Sequence, residues 1–266
     1  MKIAALVDLT DICKKAVEFA GVVAKKSNAQ LVLVHVADQN SSTETIEAGL
    51  KNLATYVAGG VEVENHVVKG DFFSLIPTIL HDLEVEMAVV PTHGKVGLMQ
   101  NLFGANILKL VNTLPIPSIV VQESSMVSQD VFKNILFPVG PHSNFEIKIE
   151  QTAAFAKFFE SNVVIYTVRN DVRGISEKLR DNIEASKKHF VDCGIPHEVV
   201  NEEPSGFSVG YAKHILSYAE DNSMNAISIM AKISEDNGYL GKTDKENVLL
   251  NEQKLPVFCC NQFRLV

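Results

Sequence analysis

The 266-residue chain reads as one α/β unit written twice, and the repeat limits what it can fold into more than any other feature. Residues Ala4 to Val36 align with Leu136 to Val168 at a constant shift of 132 with no gap, matching two apolar runs and the amphipathic stretch between them. Further on, Met87 to Thr92 aligns with Ala226 to Ala231 at a shift of 139, and the same shift lays Ile116 to Val120 over Leu255 to Cys259. Repeats of this length are tandem domains rather than solenoid units, because each is long enough to bury a core of its own. The expected domains are residues 1–125 and 131–266, joined by the polar stretch Glu123 to Asp130, whose composition suits an exposed connection.

Within the first copy, strands are expected at Lys2 to Val7, Leu31 to Val36, Val61 to Val68, Met87 to Val90 and Ser118 to Gln122. Most are continuous β-branched runs, as strands covered on both faces should be. Helices are expected near Asp11 to Lys26, Thr43 to Ala58, Ser74 to Leu83 and Ala105 to Asn112. In the first of these, Val17, Ala20, Gly21 and Ala24 share one side and Lys14, Lys15, Lys25 and Lys26 the other. The expected fold class is therefore α/β: two tandem, doubly wound, parallel five-stranded sheets with helices on both faces.

Charge and composition exclude several functions. The two halves, divided at Ser125, carry 9 basic against 13 acidic and 15 basic against 19 acidic side chains, so neither is built to follow a nucleic-acid backbone. No apolar run approaches the length that spans a bilayer, and the opening MKIAALVDLTD meets an acidic turn too early for a secretory signal; a cytoplasmic setting is expected. Cys13, Cys193, Cys259 and Cys260 show neither a CxxC pair nor zinc spacing and read as free thiols. No GxSxG, GxxxxGK[ST] or HExxH motif is present, and the hydroxyls Thr10, Ser41 and Ser42 have no marked base beside them, so no catalytic residues are expected.

In an open sheet of this kind a ligand binds beyond the carboxyl ends of the strands, where the strand order reverses. Three loops of the first half qualify: Asp8 to Asp11, His35 to Asp38, and the long segment from Pro91 to Asn106. In the last, Gly94, Gly97 and Gly104 let main-chain amides approach an anion, and Gly104 opens a helix whose first amides are unpaired. The same glycines also suit an ordinary strand-to-helix turn, Asp8 an ordinary acid at a helix start, and His93 a solvated loop residue.

Gly94, nine residues, then Gly104, preceded by Thr92-His93 and combined with Asp8 and the run Leu33-Val34-His35-Val36, resembles the universal stress protein family in its tandem, two-domain form. The resemblance implies a five-stranded parallel α/β sandwich and, for part of the family, an adenine nucleotide, ATP or AMP, as ligand. It implies that Asp8 and the backbone of Val36 contact the adenine, and that Thr92, His93, Gly94, Gly97, Gly104, Ala105 and Asn106 surround the phosphates. Two positions depart from the family pattern: Pro91 stands where a glycine is expected and Ala105 where a serine is expected. The family also pairs its edge strands, which implies an internal pseudo-dimer joined by antiparallel edges, with a homodimer of whole chains as a further level.

The second half departs further. The shifts place Gly140 at the position of Asp8, and Ile233, Asp236, Thr243, Asp244 and Lys245 at those of Gly94, Gly97, Gly104, Ala105 and Asn106. Carboxylates there would repel a polyphosphate, so this half is expected to bind no nucleotide and to carry an acidic, solvated loop of equal length; a cation held by Asp236, Asp244 and Glu246 is the minor alternative, and no metal is expected. The expected function is a non-enzymatic stress-response protein with a nucleotide-sensing first domain. Its rival is an interaction or scaffold module of the same fold, which binds a protein or another small ligand.

Overall fold

The computed structural model describes residues 1–93, 106–128, 130–168, 176–203, 210–232 and 239–261. The first half runs β1 (Lys2–Val7), α1 (Ile12–Ser27), β2 (Gln30–Ala37), α2 (Thr43–Ala54), β3 (Val63–Lys69), α3 (Phe72–Asp82), β4 (Met87–Thr92), α4 (Ile107–Thr113) and β5 (Ser118–Gln122). The second repeats it as β6 (Asn134–Pro138), α5 (Glu146–Phe159), β7 (Asn162–Val168), α6 (Glu177–Asp192), β8 (His197–Glu202), α7 (Tyr211–Asp221), β9 (Ala226–Met230), α8 (Lys242–Leu249) and β10 (Val257–Cys260). The duplication is visible in backbone detail. Asn28 and Glu160, 132 residues apart, close α1 and α5 in the same left-handed conformation, φ 51° and ψ 44°. A left-handed residue at this point satisfies the last helix carbonyls and turns the chain into the next strand.

All ten strands form one sheet in the order β3-β2-β1-β4-β5-β10-β9-β6-β7-β8, parallel within each half and antiparallel only between β5 and β10. The expected architecture and its antiparallel seam are thus present. Helices α2, α1, α5 and α6 pack in sequence along one face, and α3, α4, α8 and α7 along the other. Central strands are buried beyond their first residue, whereas the edge strands β3 and β8 alternate and carry charge, which blunts two exposed edges.

The seam has a local twofold. Ile119 pairs with Phe258, its own equivalent under the 139 shift. Beyond the strands, Gln122 and Asn261, also equivalents, reach across in opposite directions. Gln122 Nε2 donates to Asn251 O at 2.7 Å, and Asn261 Nδ2 donates to Val111 O and Ile116 O at 3.0 and 2.9 Å. The connection between halves is less detached than its composition suggests. Ser125 is buried and donates to Lys254 O, and just past the linker Phe132 is inserted against Phe19 of α1 and Phe155 and Phe159 of α5. A polar stretch tells nothing of the apolar residue that anchors its end.

Candidate functional site

The strand order reverses between β1 and β4 in the first half and between β6 and β9 in the second. Pairing shows the two strands separating there. β1 stays paired with β2 through Val7 and His35 but with β4 only as far as Ala5 and Val89. The proline at position 91 falls in this stretch, where β4 keeps only its β5 neighbour, Val121, so a residue without an N–H is tolerated in a central strand.

At the carboxyl ends of β1 and β2 lies a cleft of about 350 Å³, lined by Asp8, Leu9, His35, Val36, Ala37 and Asp38, with Ser41, Ser42, Thr45 and Ile46 from the start of α2 closing it. Asp8 and Val36, expected in one site, are brought together. The Asp8 carboxylate organises the turn into α1: one oxygen accepts from Thr10 N at 3.1 Å, from Thr10 Oγ1 at 2.5 Å and from Cys13 Sγ at 3.1 Å. Burial and this carboxylate push the Cys13 thiol up to about 12. The ordinary role of an acid at a helix start and membership of the cleft therefore coexist in Asp8.

Sequence reasoning passed over His35 and Leu9 as site residues. The β1–β2 register sets His35 opposite Val7, and its Nδ1 donates to Val7 O at 2.8 Å, which fixes the tautomer and leaves Nε2 as the ring's acceptor. Leu9 adopts φ +65°, a conformation in which glycine is at ease and a branched side chain is not. Its isobutyl group packs on α2 at Gly49, where a Cβ would lie 3.2 Å from Leu9 Cδ2. No periodicity announces such a position.

Of the other expected residues, Thr92 ends β4 fully buried, its hydroxyl without a hydrogen-bond partner. His93 follows it, partly buried, and Asn106 precedes the first turn of α4. Gly94, Gly97, Gly104 and Ala105 lie outside the described residues.

In the second half the corresponding crevice is filled by the protein itself. Tyr239 lies on Gly140, the counterpart of Asp8: a Cβ at Gly140 would sit 2.6 Å from Tyr239 Cγ and closer still to Cδ1 and Cε1. The ring is held by Tyr211 at 4.4 Å and by the edge of His142 at 5.3 Å between centroids, and burial pushes its hydroxyl pKa up. Asn182 of α6 fixes the turn beneath by donating to Gly140 O and His142 O. The expected loop of equal length is corrected as well. Helix α8 starts at Lys242, whereas the 139 shift would start it at Glu246, so Thr243, Asp244 and Lys245 lie within the helix rather than in a solvated loop. Asp244 accepts from Ala212 N at 3.2 Å and so serves the start of α7; room for it comes from Gly210, which has no Cβ. Ile233 and Asp236 lie outside the described residues, and among the described residues no three His, Cys, Asp or Glu side chains converge on a metal position.

Residues 1–122 match the family model described as the universal stress protein family. The first half of the chain belongs to that family. Across its whole length the chain is similar in fold to a universal stress protein from Archaeoglobus fulgidus DSM 4304, at 18% identity and a TM-score of 0.74, over 98% of this chain and 96% of that one. It is also similar to a functionally unknown protein from Pseudomonas aeruginosa PAO1, at 14% identity and a TM-score of 0.64, over 98% and 92% of the two chains. At these identities the likeness shows the shared tandem fold alone. A search of curated proteins found no match. Among the described residues no helix is long and apolar enough to cross a membrane.

Proposed function

We propose that the universal stress protein domain, residues 1–125, binds an adenine nucleotide, ATP or AMP, as a regulatory ligand, and that residues 131–266 form a partner domain that takes none. The role is a non-enzymatic one in a cytoplasmic stress response. The observation that carries the reading is the contrast between the two crevices: the first opens as a cleft, whereas the second is occupied by Tyr239. Val36, Leu9 and Ile46 offer apolar walls to a planar ring, while the Asp8 carboxylate and His35 Nε2 offer acceptors to an exocyclic amino group. Thr92, His93, Gly94, Gly97, Gly104, Ala105 and Asn106 would then surround the phosphates, and the partnerless Thr92 hydroxyl is a donor suited to them.

Pro91 and Ala105 each remove a donor that the family pattern supplies. At about 0.5–1.5 kcal/mol per bond, more toward a charged group, the loss weakens affinity by roughly ten- to a hundredfold. Calorimetric titration with ATP, AMP and cyclic AMP tests the reading, and Pro91→Gly with Ala105→Ser is expected to tighten ATP binding. No heat and no thermal shift at millimolar nucleotide would discard it. A second reading, an interaction module that takes a protein or another small ligand, is favoured by Leu9, whose strained backbone directs an isobutyl group into the cleft wall.

A further inference from the structure

Among the described residues, Lys148 and Lys245 of the second half are buried with no carboxylate paired to either. Lys148 of α5 is 1% exposed; its Nζ donates to Pro138 O at 2.5 Å, at the end of β6, and lies over the rings of Phe137 and Phe145 at 4.1 and 5.2 Å. Lys245 comes from α8 in the opposite helix layer. It is 0% exposed and donates to the carbonyls of Ala231, at 3.2 Å, and Lys232, just past β9. Among the described residues, the titratable groups that act on them are the thiols of β10, Cys260 toward Lys148 and Cys259 toward Lys245, and Lys245 itself toward Lys148.

The two amines hold carbonyls at the ends of the two strands that part at this crevice, since the pairing of β6 with β9 reaches only Leu136 and Ile227. A neutral amine still donates to such a carbonyl. Two ammonium ions in the same dry region repel each other and lack water. We propose that Lys148 and Lys245, each tying its helix to the strand before it, form a proton-operated latch on the two sides of the crevice of the second half, closed while one amine is neutral and loosened when both are charged. Because α8 packs on α4 of the first half, a loosened latch also disturbs the seam between the halves. The inference is independent of the nucleotide reading.

Burial holds the Lys148 pKa down to about 7, with Lys245 adding to the depression and Cys260 opposing it. Burial likewise holds Lys245 down to about 8, against Cys259. The folded chain therefore keeps fewer protons than the unfolded chain between about pH 7 and the ordinary lysine value. Stability climbs with pH through that window, and below it the penalty is complete. The three buried thiols, Cys13, Cys259 and Cys260, are pushed up and act in the opposite sense, but only where unfolded thiols ionise, above about pH 8.

Urea unfolding of the full chain at pH 6.5 and pH 8 is the first measurement, with the unfolding constant expected to fall roughly tenfold between them. Lys148→Met with Lys245→Met should remove that slope. Carbon-detected NMR of the lysine side chains in the unmodified protein serves even if the double variant does not fold: two lysines should titrate at least about two units below the ordinary lysine value. Amide exchange, corrected for intrinsic chemistry, locates the effect. Faster opening at pH 6.5 should concentrate in β6 and α5 and in β9 and α8. Ordinary lysine midpoints, an undiminished slope in the double variant, or opening spread evenly over both halves would each overturn the latch.

Discussion

Gly140 offers the sharpest test of the filled crevice, because an alanine there should be harmful for one reason only. Its φ lies outside the left-handed region, so a methyl group meets no backbone strain, and the whole penalty is its collision with the Tyr239 ring, 2.6 Å away at Cγ. Tyr239 is 5% exposed and wedged between Tyr211 and His142, so it cannot rotate aside freely. Overpacking of this kind costs about 1–3 kcal/mol, offset by about 0.4–1 kcal/mol from the reduced freedom of the unfolded chain. Gly140→Ala alone should therefore destabilise by about 1–2 kcal/mol. Tyr239→Ala alone empties a large buried site and should cost about 3 kcal/mol, the low end for an aromatic, because its buried hydroxyl has no partner to lose. In the double variant the methyl group enters the vacated space. The two costs should then fall short of additivity by about 1–3 kcal/mol. Urea unfolding of the four proteins measures this coupling directly. Additivity within about 0.5 kcal/mol would mean that Tyr239 does not occupy the space above Gly140, and the contrast between the two halves would lose its basis.

Thr92→Val removes a buried hydroxyl that bonds nothing within the protein, so stability should hold or rise by up to about 1 kcal/mol, while nucleotide affinity should fall; a clear loss of stability would show that the hydroxyl has a structural partner. Asn261→Ala breaks both bonds from Nδ2 across the seam and should cost about 2–3 kcal/mol in urea unfolding, whereas a cost below about 0.5 kcal/mol would deny the reciprocal clasp its role. Thiol labelling of the native chain at pH 8 should modify Cys193 alone, since Cys13, Cys259 and Cys260 are buried with raised pKa values. Rapid reaction of Cys13 would contradict its bond to Asp8.

Much of the architecture was already legible in the residues. Constant offsets of 132 and 139 announced two equal units, and unbroken β-branched runs announced strands covered on both faces. The final strands of the two halves pair with each other, as the family resemblance implied. Of the site, Asp8 and Val36 could be placed together because the ends of neighbouring parallel strands meet by rule. These properties are carried by short-range pattern, and pattern survives when a domain is read one residue at a time.

Other features depended on segments remote in sequence. Lys148 and Lys245 have the appearance of surface charges until the packing of α5 and α8 against the sheet removes their water. Phe132 looks like a stray apolar residue beside a polar linker until α1 and α5 close around it. Gly140 and Tyr239 have no relation along the chain, and only the approach of the turn after β6 to the start of α8 decides that the second crevice is occupied. The sequence by itself determined the repeated βα order, because hydrophobic periodicity is local, while the pairing of the two halves was what the family resemblance implied. Which crevice stays open was decided by tertiary structure, because shape complementarity arises only when distant side chains compete for the same volume.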